Sequence, residues 1–461
     1  MPHRRVESLW MKHFGAGDAD ESQGLVPRDE LAECRCDSPP EEDSGPLQRP
    51  KISTWEAGWN ITNAIQLKLT LIFRGEGLFV LGLPFALHQS GYVGLIVMIS
   101  AALICSYTGK ILVSCLYEED ESGRPVRVRN TYEDIADACC GNICPGVGGK
   151  LVNAAQVVEL TMTCLLYLVV GSNLMCHSLF FLPVTPATCS VINFLILLPC
   201  MLIRDLRVVS RLSFLCSLAQ FLITFIVIGY CLGQSARWAG RGLSAVAVDF
   251  DGFQVSVGVI IFSYTSQIYL PPLEESMADR RDFSRMMDCT HALACVLKTA
   301  FSLLAFLTWG EQTKEVITDN LPVAVSMMVN VCLLVKALLS YPLPFYAAAE
   351  ILQNSVLKTD TSSGDVTERQ TLLLRASLLV LILVMSLYVP HFSLLMGLTG
   401  SVTGALITLM LPALFHLQLK WTQLHMRHKL LDVMILLLGC FCSISGLICS
   451  IKRIITAFGD K

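Results

Sequence analysis

Long runs of apolar residues recur along most of the chain, and short polar stretches separate them. A helix needs about 20 mostly apolar residues to cross the hydrocarbon core of a bilayer, so runs of this length predict membrane-spanning helices. The pattern therefore predicts an all-α polytopic membrane protein. The eleven predicted spans, numbered one to eleven here, are residues 57–89, 92–116, 151–176, 188–203, 210–233, 253–275, 289–309, 322–350, 371–389, 393–416 and 430–451.

Two of the predicted spans carry polar residues where a lipid-facing helix would be apolar. Span one and its flanks, Trp55–Gln89, contain amide and charged side chains, several glycines and Pro84. Span six contains the polar run from Ser263 to Gln267, followed by Pro271 and Pro272. Proline removes a backbone donor and clashes with the preceding turn, so both helices are predicted to break. The plainer alternative is a pair of proline kinks capped by polar side chains.

The positions of the two breaks indicate a transporter. Spans one and six are five apart, which is where an inverted repeat of five plus five helices places its two discontinuous helices and its substrate site. Broken helix ends offer backbone N–H groups to an anion and carbonyl groups to a cation, so an amino acid zwitterion fits both. The candidate substrate-binding residues are Asn63, Gln66, Gly77, Gly82, Ser263, Tyr264, Thr265, Ser266 and Gln267.

Among the ionisable residues within other predicted spans, Glu159 in span three and Lys336 near the middle of span eight stand out. An ionisable residue inside the membrane is a functional hypothesis by default. We predict that Glu159 carries a proton during transport. We predict that Lys336 acts electrostatically, either in place of a bound cation or as a partner of the substrate carboxylate. The structural alternative is that the two residues pair with each other or with carbonyl groups and fix the helix packing.

Span ten contains Gly397, Gly400 and Gly404, spaced along one face of a helix. Small residues at such spacing allow the backbones of two helices to approach closely. Close packing explains the pattern, and a role in gating is the second interpretation.

The chain is 53% hydrophobic and only 16% charged. Residues 1–54 contain eleven acidic and seven basic residues and several prolines, which predicts a disordered acidic tail before a transmembrane domain at 55–461. Most of the positive charge between spans falls in the even-numbered connections, so the positive-inside rule places the tail in the cytosol. An odd number of spans then places the C-terminus on the luminal side.

No arrangement of residues in the sequence supports an enzyme, since it has no metal-ligand cluster, nucleotide-binding loop or nucleophile constellation. We therefore expect no cofactor, no metal and no nucleic acid partner, and the lipid bilayer as the surrounding medium. Most of the nineteen cysteines lie in apolar spans, where cysteine packs as a small apolar residue. Cys176 and Cys189, which flank an outer connection, are the one candidate disulfide.

Nine segments spread over the transmembrane part of the chain are EAGWNITNAIQ, GLFVLGLPFALHQSGYVGL, YTGKILVSCLYEE, RVRNTYEDIADACC, VELTMTCLLYLVV, IIFSYTSQIYLPPLEESM, TKEVITDNLP, KALLSYPLPF and YVPHFSLLMGLTGSVTGA. Together they resemble a known family, the amino acid and auxin permeases, and within it the vesicular carriers of inhibitory amino acids. The resemblance runs from about Trp55 to the end of the chain. It implies eleven spans in two inverted five-helix repeats, exchange of luminal protons for cytosolic GABA, glycine or β-alanine, a location in synaptic vesicles, and chloride as a further ion to test.

The chain departs from that family in span one, where the ten residues Leu67–Glu76 separate Gln66 from Gly77. As helix these residues would add about 15 Å and would turn the second half of the span away from the first. Either the segment bulges out at the break, or it reflects an altered splice product or gene model. We favour the second explanation, because charged residues at a close-packed midplane are costly.

The sequence therefore predicts a proton-coupled vesicular transporter of small inhibitory amino acids. A sodium- or proton-coupled transporter of neutral amino acids in another membrane is the first alternative. A transport-inactive amino acid sensor is the second.

Overall fold

The computed structural model describes residues 79–121, 124–141, 146–178, 185–198, 206–238, 249–275, 277, 280–356, 364–388 and 392–459. The acidic tail, the candidate site residues Asn63, Gln66 and Gly77, and the segment Leu67–Glu76 lie outside this part of the chain. Residues 79–89 of span one, which include Gly82, lie within the described part of the chain.

Helices make up most of the described residues, as the apolar pattern predicts. A two-stranded antiparallel hairpin, β1 (Tyr117–Glu119) and β2 (Pro125–Arg127), follows α2 in a connection between spans. The helices are α1 (Leu83–Ser90), α2 (Tyr92–Ser114), α3 (Tyr132–Cys140), α4 (Val147–Ser178), α5 (Pro186–Leu197), α6 (Leu206–Gly233), α7 (Phe250–Tyr264), α8 (Leu270–Glu275), α9 (Phe283–Trp309), α10 (Val323–Ser340), α11 (Pro342–Val356), α12 (Gly364–Tyr388), α13 (Phe392–Thr399), α14 (Leu411–Leu419) and α15 (Met426–Gly459).

The prediction of an all-α polytopic membrane protein is confirmed, although the count of eleven spans is not. In the described residues, eight helical segments are long and apolar enough to cross a membrane, and they correspond to spans two, three and six to eleven. Two shorter apolar helices, at Ala187–Leu197 and Ala219–Gly233, fall in spans four and five. The described part of span one is a 3-10 turn at Phe79–Gly82 that leads into α1.

Large apolar side chains lie on the outside of the bundle as well as inside it. Ile96 and Leu103 on α2 and Leu437 on α15 are each exposed over 60% or more of their surface. Lipid tails are as apolar as these side chains, so such a surface suits a membrane. In the interior, the ring of Phe79 packs edge-on against Phe262, with 4.8 Å between ring centroids, which brings the described start of span one against span six.

The predicted break in span six is present, but it lies before the prolines. Helix α7 ends at Tyr264, and Thr265 adopts extended backbone angles with φ −69° and ψ 110°. A short 3-10 turn at Gln267–Tyr269 then leads into α8. Pro271 and Pro272 lie in the first turn of α8, where a missing N–H removes no helical hydrogen bond. The interruption is therefore a true change of backbone conformation and not a proline kink.

Span ten is also irregular. Between α13 and α14 the backbone follows two π-helical turns, Gly400–Gly404 and Leu406–Met410. Such turns are rare and occur most often at functional sites. The helix is not interrupted between α13 and α14, yet its side chains are offset from the register of an α-helix.

The glycines of span ten pack closely, as predicted. A Cβ atom added to Gly400 would come within 1.9 Å of the Gly258 carbonyl oxygen, and one added to Gly258 would come within 2.3 Å of the Gly397 carbonyl oxygen. Spans six and ten therefore meet backbone to backbone next to the break. Elsewhere in the fold, Cys176 and Cys189 are both thiols, so the candidate disulfide is not formed.

Candidate functional site

Glu159 lies on α4 with 3% of its surface exposed. Its Oε2 accepts a hydrogen bond from the hydroxyl of Thr403, in the first π-helical turn of span ten. Glu159 is recognisable from the sequence, whereas Thr403 is 244 residues away and is not. A neutral hydroxyl thus faces a carboxylate in the interior of the bundle.

Lys336 lies on α10 with 1% of its surface exposed, and its Nζ donates to Oε1 of Gln220 on α6. Gln220 in turn donates through Nε2 to the Thr224 hydroxyl at 3.2 Å. The side chains of Glu159 and Lys336 therefore have separate hydrogen-bond partners on different helices. Lys336 joins spans five and eight, whereas Glu159 joins spans three and ten.

A third buried charge, Lys298 on α9, was missed by the sequence analysis. It is 1% exposed, and its Nζ donates to the backbone carbonyl of Ser263 and lies 4.0 Å from the ring centroid of Tyr264. Breaking the contacts of a buried ion typically costs several kcal/mol, so these contacts matter to the local structure. The signal was available, because Lys298 lies within predicted span seven and an ionisable residue in a span is a functional hypothesis.

Three of the candidate residues at the break of span six make side-chain hydrogen bonds to different parts of the fold. The hydroxyl of Ser263 donates back to the Ile260 carbonyl of its own helix at 2.8 Å. The Gln267 amide accepts through Oε1 from the Ser266 backbone N–H at 2.9 Å and donates through Nε2 to the Thr108 hydroxyl on α2 at 3.2 Å. Thr265 faces span ten, where the Thr408 hydroxyl donates to its Oγ1 at 3.3 Å.

Ser266 differs from its neighbours. It is 6% exposed, and its Oγ makes no hydrogen bond within the described part of the chain. Buried polar groups in native structures are nearly always paired, so this hydroxyl is a candidate for a group that binds substrate or water. Gly82 from span one is also buried, and a Cβ added to it would meet Phe392 of span ten at 3.3 Å.

Span ten connects these candidate residues. It reaches Gly82 through Phe392, Glu159 through Thr403 and Thr265 through Thr408. The sequence analysis treated span ten chiefly as packing, because its glycines are visible in the sequence whereas its π-helical turns are not. The structure places it between the proposed proton site and the broken helix.

A cavity of about 510 Å³ lies at the end of α4 that carries His177. The ring Nδ1 of His177 is 2.8 Å from Oδ1 of Asp319, and Oε2 of Glu315 accepts from the backbone N–H of Ser393 at 3.3 Å. Charged groups of both signs therefore line an opening beside the first residues of span ten. The lining residues are Phe85, Asn173, His177, Lys314, Glu315, Val316 and Asp319.

At the opposite end of span ten, Asp432 on α15 is completely buried. Its Oδ1 accepts from the Tyr107 hydroxyl and its Oδ2 contacts Nδ1 of His416, both at 2.7 Å. This group ties α2, α14 and α15 together. No spacing in the sequence links Tyr107, His416 and Asp432.

An interrupted helix next to buried charges, in a bundle of membrane-length helices, is an architecture typical of membrane transporters. Residues 50–452 match the family model described as transmembrane amino acid transporter protein, and the chain belongs to that family. It is accordingly a transporter and not an enzyme.

Curated relatives cover most of the chain. The vesicular inhibitory amino acid transporter of Xenopus tropicalis is 49% identical over 418 residues, which span 89% of this chain and 79% of that protein. The protein of the same description from Homo sapiens is 49% identical over 422 residues, covering 90% and 78%. The vesicular GABA transporter of Caenorhabditis elegans is 37% identical over 418 residues, covering 89% and 81%.

Proposed function

We propose that this protein loads GABA and glycine into synaptic vesicles in exchange for luminal protons, with β-alanine as a further substrate. Relatives described as transporters of inhibitory amino acids or of GABA support this choice of substrate and membrane. Their similarity extends over nearly the whole transmembrane domain. Whether chloride takes part is a matter for the same assay.

The contact between Glu159 and Thr403 carries the proton part of the proposal. A threonine hydroxyl can donate to a carboxylate and can accept from a carboxylic acid. Glu159 therefore keeps a hydrogen-bond partner with or without a proton. Since Thr403 belongs to the span that also contacts Thr265 at the break, a change at Glu159 can reach the proposed substrate site through span ten.

The substrate site is proposed to lie between the two broken helices. We propose that Gly82 to Pro84 belong to one wall and Ser263 to Gln267 to the other, while the predicted site residues Asn63, Gln66 and Gly77 lie outside the described residues. The buried hydroxyl of Ser266, which has no hydrogen bond in the described part of the chain, supports a polar ligand at the second wall. An amino acid zwitterion can use both the N–H groups and the carbonyl groups that a broken helix leaves exposed.

Reconstitution tests the proposal directly. The purified protein in liposomes with an acidic interior should accumulate labelled GABA and glycine, and a protonophore should abolish the accumulation. Replacing external sodium by choline should leave uptake unchanged. Removing chloride in a parallel series measures its contribution.

The alternatives give different results in the same assay. Uptake that needs a sodium gradient and ignores the proton gradient would favour a sodium-coupled transporter of another membrane. Binding of the amino acids without any uptake would favour a sensor. Either result would overturn the proposed function.

The proposed topology has a cytosolic N-terminus and a luminal C-terminus in the vesicle membrane. Lys452 and Arg453 near the end of α15 pair with Asp251 and Asp249 at the start of α7. Partial burial raises the pKa of the Asp249 carboxyl, but the hydrogen bonds and charge that stabilise the carboxylate, those of the Arg453 guanidinium foremost, together outweigh burial, so the pKa lies below its ordinary value. These ion pairs support threading in which span six begins where span eleven ends. A C-terminal epitope in intact vesicles should resist protease, and its digestion would contradict this topology.

A further inference from the structure

The end of α7 presents backbone carbonyls with a partial negative charge to the interior of the bundle. The last four carbonyl groups of a helix have no intrahelical partner, and the aligned peptide dipoles make this end negative. Helix α7 ends at Tyr264, so the Ser263 carbonyl is one of these groups. In transporters with broken helices, such carbonyls and helix ends can coordinate a coupling cation.

In this protein the Ser263 carbonyl has a cationic partner from the chain itself. Lys298 Nζ donates to it, and the same Nζ lies 4.0 Å from the ring centroid of Tyr264. A carbonyl oxygen and an aromatic face are both electron-rich groups that attract a cation. The two partners come from the last two residues of α7, so the ammonium group is held at the break itself.

The Ser263 carbonyl does not by itself require a charged donor. A neutral donor would make the same hydrogen bond without the desolvation that a buried ammonium group suffers. Lys298 on α9 is nevertheless only 1% exposed. The positive charge itself is therefore the property that distinguishes this contact.

We propose that Lys298 is a built-in cation that occupies the position of a coupling metal cation at the break of span six, so that transport does not require sodium. This inference deepens the proposed function and rests on it for the transport assay. The side chain is a positioning residue, because it acts on the substrate wall through the Ser263 carbonyl and the Tyr264 ring.

Removing the side chain should open a site for a small cation. In Lys298→Ala, exchange of labelled for unlabelled GABA, measured without any proton gradient, should fall about tenfold in choline and be largely restored by sodium or lithium. Lys298→Met fills the same space without a charge, so its exchange should be low in every salt. Lys336→Ala removes the buried lysine for which the sequence also allows the place of a bound cation, and it should respond equally to sodium and choline; a sodium-specific gain there would assign that place to Lys336 and overturn the inference.

The same proteins allow a measurement that does not depend on transport. Sodium should raise the Tm of purified Lys298→Ala relative to choline, and should leave the Tm of the unaltered protein, Lys298→Met and Lys336→Ala unchanged. Absence of a sodium-specific Tm shift in Lys298→Ala would overturn the inference, as would full exchange by Lys298→Met. A higher KM of Lys298→Ala for GABA that sodium does not correct would make Lys298 a partner of the substrate carboxylate, which also overturns it.

The two proposals fail in different ways. If the unaltered protein exchanges neither GABA nor glycine, the proposed function is wrong, and the sodium-dependent Tm shift still decides the role of Lys298. If the unaltered protein is active and the Lys298→Ala protein gains no response to sodium, only the inference fails.

Discussion

Two buried carboxylates contact span ten, and their partners differ in kind. Glu159 meets the π-helical middle of the span and accepts from one neutral hydroxyl, that of Thr403. Asp432 meets its α-helical end, where a phenol and an imidazole, those of Tyr107 and His416, contact its two oxygens at 2.7 Å. Burial alone therefore does not distinguish the two acids, since both are almost completely enclosed.

The different partners of Glu159 and Asp432 indicate which acid is suited to exchange a proton. Glu159 has a partner that can reverse its hydrogen bond when the carboxyl group gains a proton. Asp432 has partners on two further helices, α2 and α14, so a change at its side chain disturbs three helices together. We infer that Glu159 is the mobile proton site and that Asp432 is an anchor of the bundle.

The largest expected effect comes from Glu159→Gln. The amide has the size of the carboxyl group but cannot take up a proton, so uptake driven by an acidic interior should fall to the level of protein-free liposomes. Exchange of labelled for unlabelled GABA needs no net proton movement and should stay within about twofold of the unaltered protein. Both are measured on the same proteoliposomes, and proton-driven uptake that survives would remove Glu159 from the mechanism.

The span that contains Glu159 and the existence of a break in span six could be anticipated from the sequence, whereas the exact place of the break could not. The span containing Glu159 is recognisable from its apolar neighbours, and Pro271 together with the run from Ser263 to Gln267 correctly indicated a break in span six. The exact break, at Thr265 and Ser266, could not be read from the prolines because these lie in the next helix.

The partners were beyond sequence reasoning for a physical reason. The π-helical turns of span ten arise from a local change of hydrogen-bond register, and no residue type is required for them. The pairing of Thr403 with Glu159 depends on that register and on the approach of Gly400 to Gly258. Lys298 is the contrary case, since its position in a span was visible and its importance was missed.

The second effect, on stability, comes from Asp432→Asn. The amide lacks the negative charge that the Tyr107 phenol and the His416 imidazole now contact, so unfolding should become easier by about 3 kcal/mol. Thermal unfolding of the purified protein measures this, with Tyr107→Phe as the milder control at about 1 kcal/mol. Proton-driven uptake per folded molecule should persist. Its selective loss with exchange intact would make Asp432 a second proton site and would erase the contrast.

The third effect tests the hydroxyl opposite Glu159. Thr403→Val keeps the shape of the side chain and removes the hydrogen bond, which is worth about 1 kcal/mol and so about a fivefold lower rate of proton-driven uptake. Thr403→Ser keeps the hydroxyl and should restore most of that rate. Equal rates for the Val and Ser variants would show that the contact has no part in proton coupling.

The smallest effect is expected where span ten meets the break of span six. The Thr408 hydroxyl donates to Thr265 Oγ1 at 3.3 Å, which is at the long end for a hydrogen bond between hydroxyls. Thr408→Val should therefore raise the KM for GABA about twofold and leave the dependence of uptake on the proton gradient unchanged.

Thr399→Val is the matched control on the same span, because the Thr399 hydroxyl donates at 2.7 Å to the Leu395 carbonyl within its own helix. It should leave the KM unchanged. If Thr408→Val altered the dependence on the proton gradient as strongly as Thr403→Val, coupling would be spread along span ten and not centred on Glu159. If Thr399→Val raised the KM equally, the effect would belong to general packing of the helix, and the contact between Thr408 and Thr265 would lose its role in binding.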